Sequence, residues 1–272
     1  MNNNKFILND NKGIQYYTIK EFEDTNLVKH LFTTRIGGEN DSFFSLNLGI
    51  NGEYKNESII NNFNKISNII DSSIDNMVCS HQLHTSNIRN ITKDDMGKGL
   101  IKERNYKGVD GMITNEKEIA LVTFYGDCVP LFYLDKRKKV VGLAHGGWRG
   151  TVEKIAGKMV SRFVDDYGSN IEDIIVGIGP SIRSCCYEVG KEVYEKFNKN
   201  FTNIDKLLIP MGKGKWKLDL ASANRLVLEE FGVLNRNIIV ADLCTSCNND
   251  KFFSYRKESG TTGRMAAFIK LI

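Results

Sequence analysis

The sequence predicts an α+β fold, a single domain of mixed β-sheets covered by helices, and three observations carry that reading. Nine short segments rich in branched and aromatic residues read as strands. Four longer stretches place apolar residues at helical spacing. The two kinds of element are interspersed without strict βαβ alternation, and no repeat, Pro-rich linker or low-complexity block divides them, so residues 1–272 are read as one domain.

Taken in order, QYYTIK (15–20) and HLFTTR (30–35) are expected strands. ESIINNFNKISNII (57–70) is an expected helix, with Ile59, Phe63, Ile66 and Ile70 on one face. NMVCSHQL (76–83), IALVTFY (119–125), VPLFYLD (129–135) and KVVGLAH (139–145) follow as strands. The last two form a hairpin whose basic tip, Asp135 to Lys139, is expected to be exposed. TVEKIAGKMVSRFVDDYG (151–168) carries Val152, Ile155, Met159 and Phe163 at helical spacing and offers Gly168 as a stop. DIIVGIG (173–179) reads as a strand, VGKEVYEKFNKN (189–200) and LDLASANRLVLEEFG (218–232) as helices, the latter closed by Gly232. NIIVAD (237–242) and AAFIKLI (266–272) are the last two strands. GIGPSI (177–182) begins like a dinucleotide fingerprint, but its third glycine is missing and Pro180 interrupts the turn, so it reads as a tight strand-to-helix connection.

Composition narrows the function. The chain is 41% hydrophobic and 26% charged, ordinary for a soluble globular protein. Its 37 basic and 33 acidic side chains nearly balance, which gives no support to a nucleic-acid or polybasic membrane footprint and favours a small-molecule partner. MNNNKFILNDNKG has no apolar signal-peptide core, and nowhere do about eighteen apolar residues run together, so a cytoplasmic location is expected. Six cysteines are too few for a disulfide scaffold at this length, and a reducing compartment would keep them as thiols.

Of four histidines, His81 and His84 share SHQLHTSN, and His145 ends an apolar run in LAHGGWRG. Cys128, in FYGDCVPLFYLD, is joined to His145 by the hairpin, which can fold the two together. If His84, Cys128 and His145 converge, a thiolate and two imidazoles supply three zinc ligands and leave a fourth position open, as catalytic zinc sites do. A buried thiol beside strand-end histidines is an equally good account of the same residues, and a Cys128–His145 nucleophile pair is a third.

CTSC (244–247) has the C-x-x-C spacing of zinc knuckles and redox motifs. No second pair with matching spacing follows, and the adjacent Cys185 and Cys186 look poorly disposed to chelate one ion, so these read as buried structural thiols. Arg35, Arg149, Arg256 and Arg264 each lie near glycine, a pairing of fixed charge and bare backbone suited to an anion. Asn47 in SLNLG is placed either to hydrogen-bond a ligand or to close its own turn.

FTTRIGG, SLNLG, HQLH, GDCVPLFYLD, AHGGWRG, GPSIRSCCYEVG and CTSCNNDKFFSYRKESGTTGR occur in this order from about residue 30 to the C-terminus. Together they resemble the laccase-domain or polyphenol-oxidase-like family, whose bacterial members are described as purine nucleoside phosphorylases or as peptidoglycan editing factors. The resemblance implies a metal centre of two histidines and one cysteine. Its Q-x-H motif matches Gln82 to His84, its D-C-x-P motif Asp127 to Pro130, and its H-x-G-W-R-G motif His145 to Gly150. It therefore assigns His84, Cys128 and His145 as ligands, leaves His81 outside the set, and places Gln82 beside the substrate. Ser181 stands where members often have cysteine, and Gly126 precedes Asp-Cys where alanine is more usual. Neither change touches a ligand.

On this reading Gly146 and Gly147 clear space beside the ion, Arg149 with Arg35 meets phosphate, Asn47 and Gln82 contact substrate, and Trp148 serves as core or as a stacking surface. The implied activity is zinc-dependent phosphorolysis of adenosine, inosine or methylthioadenosine with adenosine deamination, by a monomer or homodimer, copper being the other possible metal. A metal-dependent amidase editing cell-wall precursors, a copper polyphenol oxidase and a non-enzymatic binding protein are the alternatives.

Overall fold

A computed structural model describes residues 5–38, 45–50, 57–202 and 204–272. Two six-stranded sheets lie face to face. The first contains β1 (Phe6–Asn11), β2 (Ile14–Ile19), β3 (Val28–Thr33), β4 (Met77–Cys79), β7 (Ala120–Tyr125) and β15 (Met265–Leu271), in the order β1-β2-β3-β15-β7-β4. The second contains β5 (Ile88–Asn90), β6 (Gly111–Thr114), β8 (Val129–Asp135), β9 (Val140–Gly146), β10 (Ile174–Ile178) and β14 (Ile238–Val240), in the order β14-β10-β8-β9-β6-β5. Both sheets mix parallel and antiparallel pairs. A small antiparallel sheet of β11 (Glu188–Val189), β12 (Leu208–Gly212) and β13 (Lys215–Leu218) sits apart from them.

The period of two along each strand explains the layering. On β8, Val129, Leu131 and Tyr133 face one core, while Phe132 and Leu134 face the other. On β7, Leu121 and Tyr125 join Phe132 and Leu134 between the sheets, whereas Ala120 and Val122 turn outward to α2 (Glu57–Ile70). Helices α4 (Ile155–Tyr167) and α6 (Leu220–Glu230) cover the outer face of the second sheet with Ile155, Met159, Phe163, Val227 and Leu228. The result is helix, sheet, sheet, helix, the α+β arrangement expected from the sequence.

The ends of the helices follow their caps. Asp219 accepts the Ser222 N–H at 3.0 Å to open α6, and Gly168, at φ 65°, closes α4 in the left-handed conformation that glycine adopts cheaply. At Gly157 on α4, a Cβ would meet the Phe231 ring at 2.3 Å, so the close approach of the two helices requires glycine there.

Several expectations need correction. The single helix over 151–168 is two, α3 (Trp148–Val152) and α4, broken at Lys154 with φ 63°. Val152 and Ile155 keep helical spacing across the break, so periodicity cannot reveal it. GIGPSI does not lead into a helix: Ser181 bridges Cys244, and α5 (Lys191–Asn200) begins only after β11. Asp135 is buried, not exposed, accepting the Arg137 and Lys138 N–H groups, while residues 136–139 are exposed. The strands β1, β5, β6 and the whole third sheet, together with α1 (Lys20–Glu23), carry too few branched residues or too few positions to announce themselves; β12 is largely exposed and interrupted at Pro210.

The expected strand 76–83 is also shorter, and its shortening builds the site. After Cys79 the chain leaves the first sheet, His81 pairs with Val109, and β5 joins the second sheet. Residues 126–128 cross the same gap between β7 and β8. Both crossings occur at one rim of the sandwich.

Candidate metal centre and its pocket

Each crossing contains a residue with positive φ outside glycine, His84 at 60° and Asp127 at 96°. Such conformations carry a cost of order 1–3 kcal/mol and persist where surrounding bonds hold them. At His84 the holder is Asp110, which is fully buried between Gly108 and β6. Its carboxylate accepts the N–H groups of Leu83, His84 and Thr85 at 3.0, 3.1 and 2.9 Å and the Thr85 hydroxyl at 2.8 Å. At Asp127 one oxygen accepts the Thr245 hydroxyl at 2.6 Å and the other the Arg256 N–H at 2.7 Å.

These constraints bring three donors together. His84, Cys128 and His145 place one ligand atom each within 4.8 Å of one another, and Cys128 Sγ lies 3.9 Å from His84 Nε2. Cys128 immediately precedes β8 and His145 lies on β9, where the register sets Pro130 opposite His145. His145 Nδ1 donates to Asp110 Oδ1 at 2.9 Å, which fixes the ring and leaves Nε2 as its ligand atom. The His84 and His145 rings meet edge to face, centroids 4.9 Å apart.

Charge follows geometry. Burial alone pushes the Cys128 thiol up, but the His145 ring beside it and hydrogen bonds from both histidines bring it down to about 6. Burial alone lowers His145, and the Cys128 thiolate with the Asp110 carboxylate raises it to about 9. Near neutral pH the cysteine is therefore a thiolate, the form that binds metal.

The residues fit a metal ion. Bonds of about 2.0–2.3 Å in a tetrahedron separate donors by roughly 3.3–3.8 Å, close to the spacing seen here. A Cβ at Gly147 would lie 2.7 Å from His84 Cδ2 and 3.4 Å from Cys128 Sγ, so the space at the donors depends on that glycine. Gly146 has a different neighbourhood: its Cβ would meet Asn224 and Val129, so it serves packing rather than the ion. The soft thiolate and two imidazoles suit zinc and also copper.

The centre forms part of the lining of a cavity of about 630 Å³, within the range of small-molecule sites. Phe124, Trp148, Tyr187 and Tyr255 present rings to it, and Arg104, Arg149, Arg256 and Arg264 surround it with positive charge. Arg149 is exposed, its guanidinium lies over the Trp148 ring at 4.2 Å, and the guanidinium has no hydrogen-bonding partner among the described residues. Trp148 packs against the outer core and also lines the cavity. His81 lines the cavity too, its Nδ1 accepting the Gly108 N–H at 3.1 Å.

Two residues expected beside substrate are placed elsewhere. Arg35 is buried, its Nη1 3.0 Å from Glu258 and 2.8 Å from the Asn249 carbonyl, and it does not line the cavity. Asn47 Oδ1 accepts the N–H groups of Gly49 and Arg264, closing its own turn. Gln82 does border the cavity, but both ends of its amide are engaged, by Ser80, the Phe124 N–H and the Phe124 carbonyl. Its visible task is to hold the crossing against β7. Asp110, Arg104, Tyr187 and Tyr255 went unmarked in the sequence; for Asp110 the available signal was a carboxylate set between glycine and apolar residues in KGVDGMI.

Known proteins share both the sequence and the architecture. Residues 29–272 match the family described as multi-copper polyphenol oxidoreductase laccase. The chain belongs to this family. The purine nucleoside phosphorylase YlmD of Bacillus subtilis is 37% identical over 243 residues, 88% of this chain and 86% of that protein. Among solved structures, the hypothetical protein YfiH of Bacillus licheniformis superposes with a TM-score of 0.91 at 35% identity, covering 99% of this chain and all of its own. YlmD of Geobacillus stearothermophilus gives 0.89 at 34% identity over 98% of this chain and 99% of that one. The laccase-domain resemblance and the α+β fold are thus both established. Among the described residues no helix is long and apolar enough to cross a membrane.

Proposed function

We propose that this family member is a zinc-dependent purine nucleoside phosphorylase that also deaminates adenosine. The observation that carries the reading is the three-donor centre in the lining of a cavity that aromatic residues and arginines also line. The name borne by the Bacillus subtilis relative points to the same reaction class.

Phosphorolysis requires an anion to be held against the ribose while the purine departs. Arg149 offers a planar fork with its donors unspent, and Arg104, Arg256 and Arg264 raise the local potential around it. The faces of Trp148, Tyr187 and Tyr255 provide stacking surfaces for a base. His81, with Nδ1 accepting from the backbone, carries its proton on Nε2 and can donate to a ring nitrogen or hydroxyl. Asp110 keeps His145 in the tautomer with Nε2 free, and Gly147 keeps the donors uncovered. Zinc, when bound, supplies Lewis acidity that brings ionisation of water at the open position toward neutral pH, which is what deamination needs.

The test is product analysis with purified, zinc-loaded protein. Adenosine with phosphate is expected to yield adenine and ribose 1-phosphate, and adenosine without phosphate to yield inosine and ammonia. Absence of any phosphate-dependent base release defeats the phosphorylase assignment. Turnover of a muropeptide amide or of a phenol, with nucleosides untouched, would replace it with the amidase or the copper oxidase.

A further inference from the structure

A second cluster lies outside the centre described above. Cys185, Cys186, Cys244 and Cys247 place all four sulfurs within 4.8 Å of one another, the Cys247 sulfur lying 3.5 Å from Cys185 and 3.4 Å from Cys186. The sequence reading of these as buried structural thiols does not survive: Cys185 and Cys247 are exposed, Cys186 is half-buried, and only Cys244 is buried. None of the six cysteines is joined in a disulfide.

The packing that gathers them is specific. Ser181 bridges Cys244 in parallel, bringing the segment that carries the adjacent cysteines onto the C-x-x-C turn. The Arg183 N–H points at Cys244 Sγ from 3.5 Å. Lys217 Nζ reaches the Cys185 carbonyl at 3.0 Å, bringing positive charge beside sulfurs that would be negative when loaded. Sulfurs bonded at about 2.3 Å to a tetrahedral ion sit roughly 3.8 Å apart, so these four need only small adjustments to share one.

We propose that Cys185, Cys186, Cys244 and Cys247 form a second metal site, a tetrathiolate for a borderline or soft divalent cation of the zinc class. Four ligands close the coordination shell, which makes the site structural. Binding forms four metal–sulfur bonds, and the thiol protons pass to solvent. Each side of the clamp leads into the cavity wall: Tyr187 directly follows Cys186, and Tyr255 and Arg256 lie on the loop that follows Cys247. The ion would therefore tie together two loops that Asp127 already links to the first centre, one through the Ile182 N–H donating to the Asp127 carbonyl and the other through Thr245 and Arg256.

Metal stoichiometry tests this without reference to activity. Reduced protein reconstituted with zinc and desalted is expected to hold two equivalents, falling to one in C128A and to one in C185S/C247S, a variant altered only at exposed positions. Cobalt substitution of C128A gives a second readout that keeps the four-sulfur cluster intact: strong thiolate-to-cobalt charge-transfer bands with the visible spectrum of a tetrahedral site are expected. One equivalent in the wild type that C185S/C247S leaves unchanged overturns the proposal, as does a C128A cobalt spectrum lacking those bands. Loss of the second equivalent with the first retained would leave the nucleoside assignment untouched.

Discussion

The Asp110 carboxylate lies 2.9 Å from His145 Nδ1 while accepting three consecutive backbone N–H groups around His84. One side chain thus orients two ligands that reach the centre from different parts of the chain. In Asp110→Asn the amide turns N–H groups toward donors, and one accepting oxygen remains for five contacts. Metal affinity is expected to fall about 10- to 100-fold, with about 1–3 kcal/mol of stability lost to unsatisfied donors. Chelator competition and urea unfolding measure the two separately; unchanged metal affinity would show that Asp110 only supports the fold.

Gly147 has φ −71°, a backbone conformation that alanine tolerates, so the effect of Gly147→Ala comes from contact alone. Its methyl group would press on His84 at 2.7 Å. Weaker binding at the first centre is expected with little change in unfolding midpoint. Gly146→Ala should show the opposite pattern, since its crowding is with Asn224 and Val129.

Arg149→Ala should slow phosphorolysis more than adenosine deamination, because only the former consumes phosphate. Loss of a charge-assisted contact of about 1.5–3 kcal/mol corresponds to a drop of roughly 10- to 100-fold in kcat/KM. Lysine keeps the charge without the planar fork, so Arg149→Lys should rescue partially. Equal losses in both reactions would reassign the arginine to nucleoside positioning.

His30 is buried and does not line the cavity of the metal centre, accepts the Ile19 N–H at 2.7 Å, and is held by burial at a pKa of about 3. An unfolded histidine titrates near about 6.5, so between these values the unfolded chain binds the extra proton. Stability should therefore be complete above about pH 6.5 and decline as pH falls, with about 2 kcal/mol lost by pH 5 from this residue. His30→Gln retains an acceptor without titrating. Its urea midpoint should change less than the wild type's between pH 7 and 5; parallel curves would place the acid sensitivity elsewhere.

What could be read from the chain depended on whether the signal was local. The hairpin joining Cys128 to His145 announces itself through continuous apolar runs, while the register that sets Pro130 opposite His145 is visible only in the structure. His84 needed the motif resemblance, because its approach depends on a crossing between sheets that no periodicity records. Arg35 and Arg149 carry the same glycine-adjacent signature, yet one is neutralised by Glu258, 223 positions away, and the other faces the cavity. Cys186 and Cys247 lie 61 positions apart, and long-range contacts such as the Ser181–Cys244 bridge make them neighbours. Asp110 had only a weak local signal for a related reason: a buried carboxylate acquires its meaning from the donors folded around it.

The position of β15 bears on how the molecule comes into being. It fills the middle of its sheet, hydrogen-bonded to β3 on one side and β7 on the other. While residues 265–271 are still inside the ribosome, those two strands have emerged without the partner that lies between them, each presenting an open edge of the kind that recruits foreign strands. The first sheet closes only on arrival of a segment more than two hundred residues downstream of β3, a long-range closure that slows folding. Synthesis of this protein thus includes an interval in which protection of nascent β-edges, rather than final stability, governs the yield of native chains.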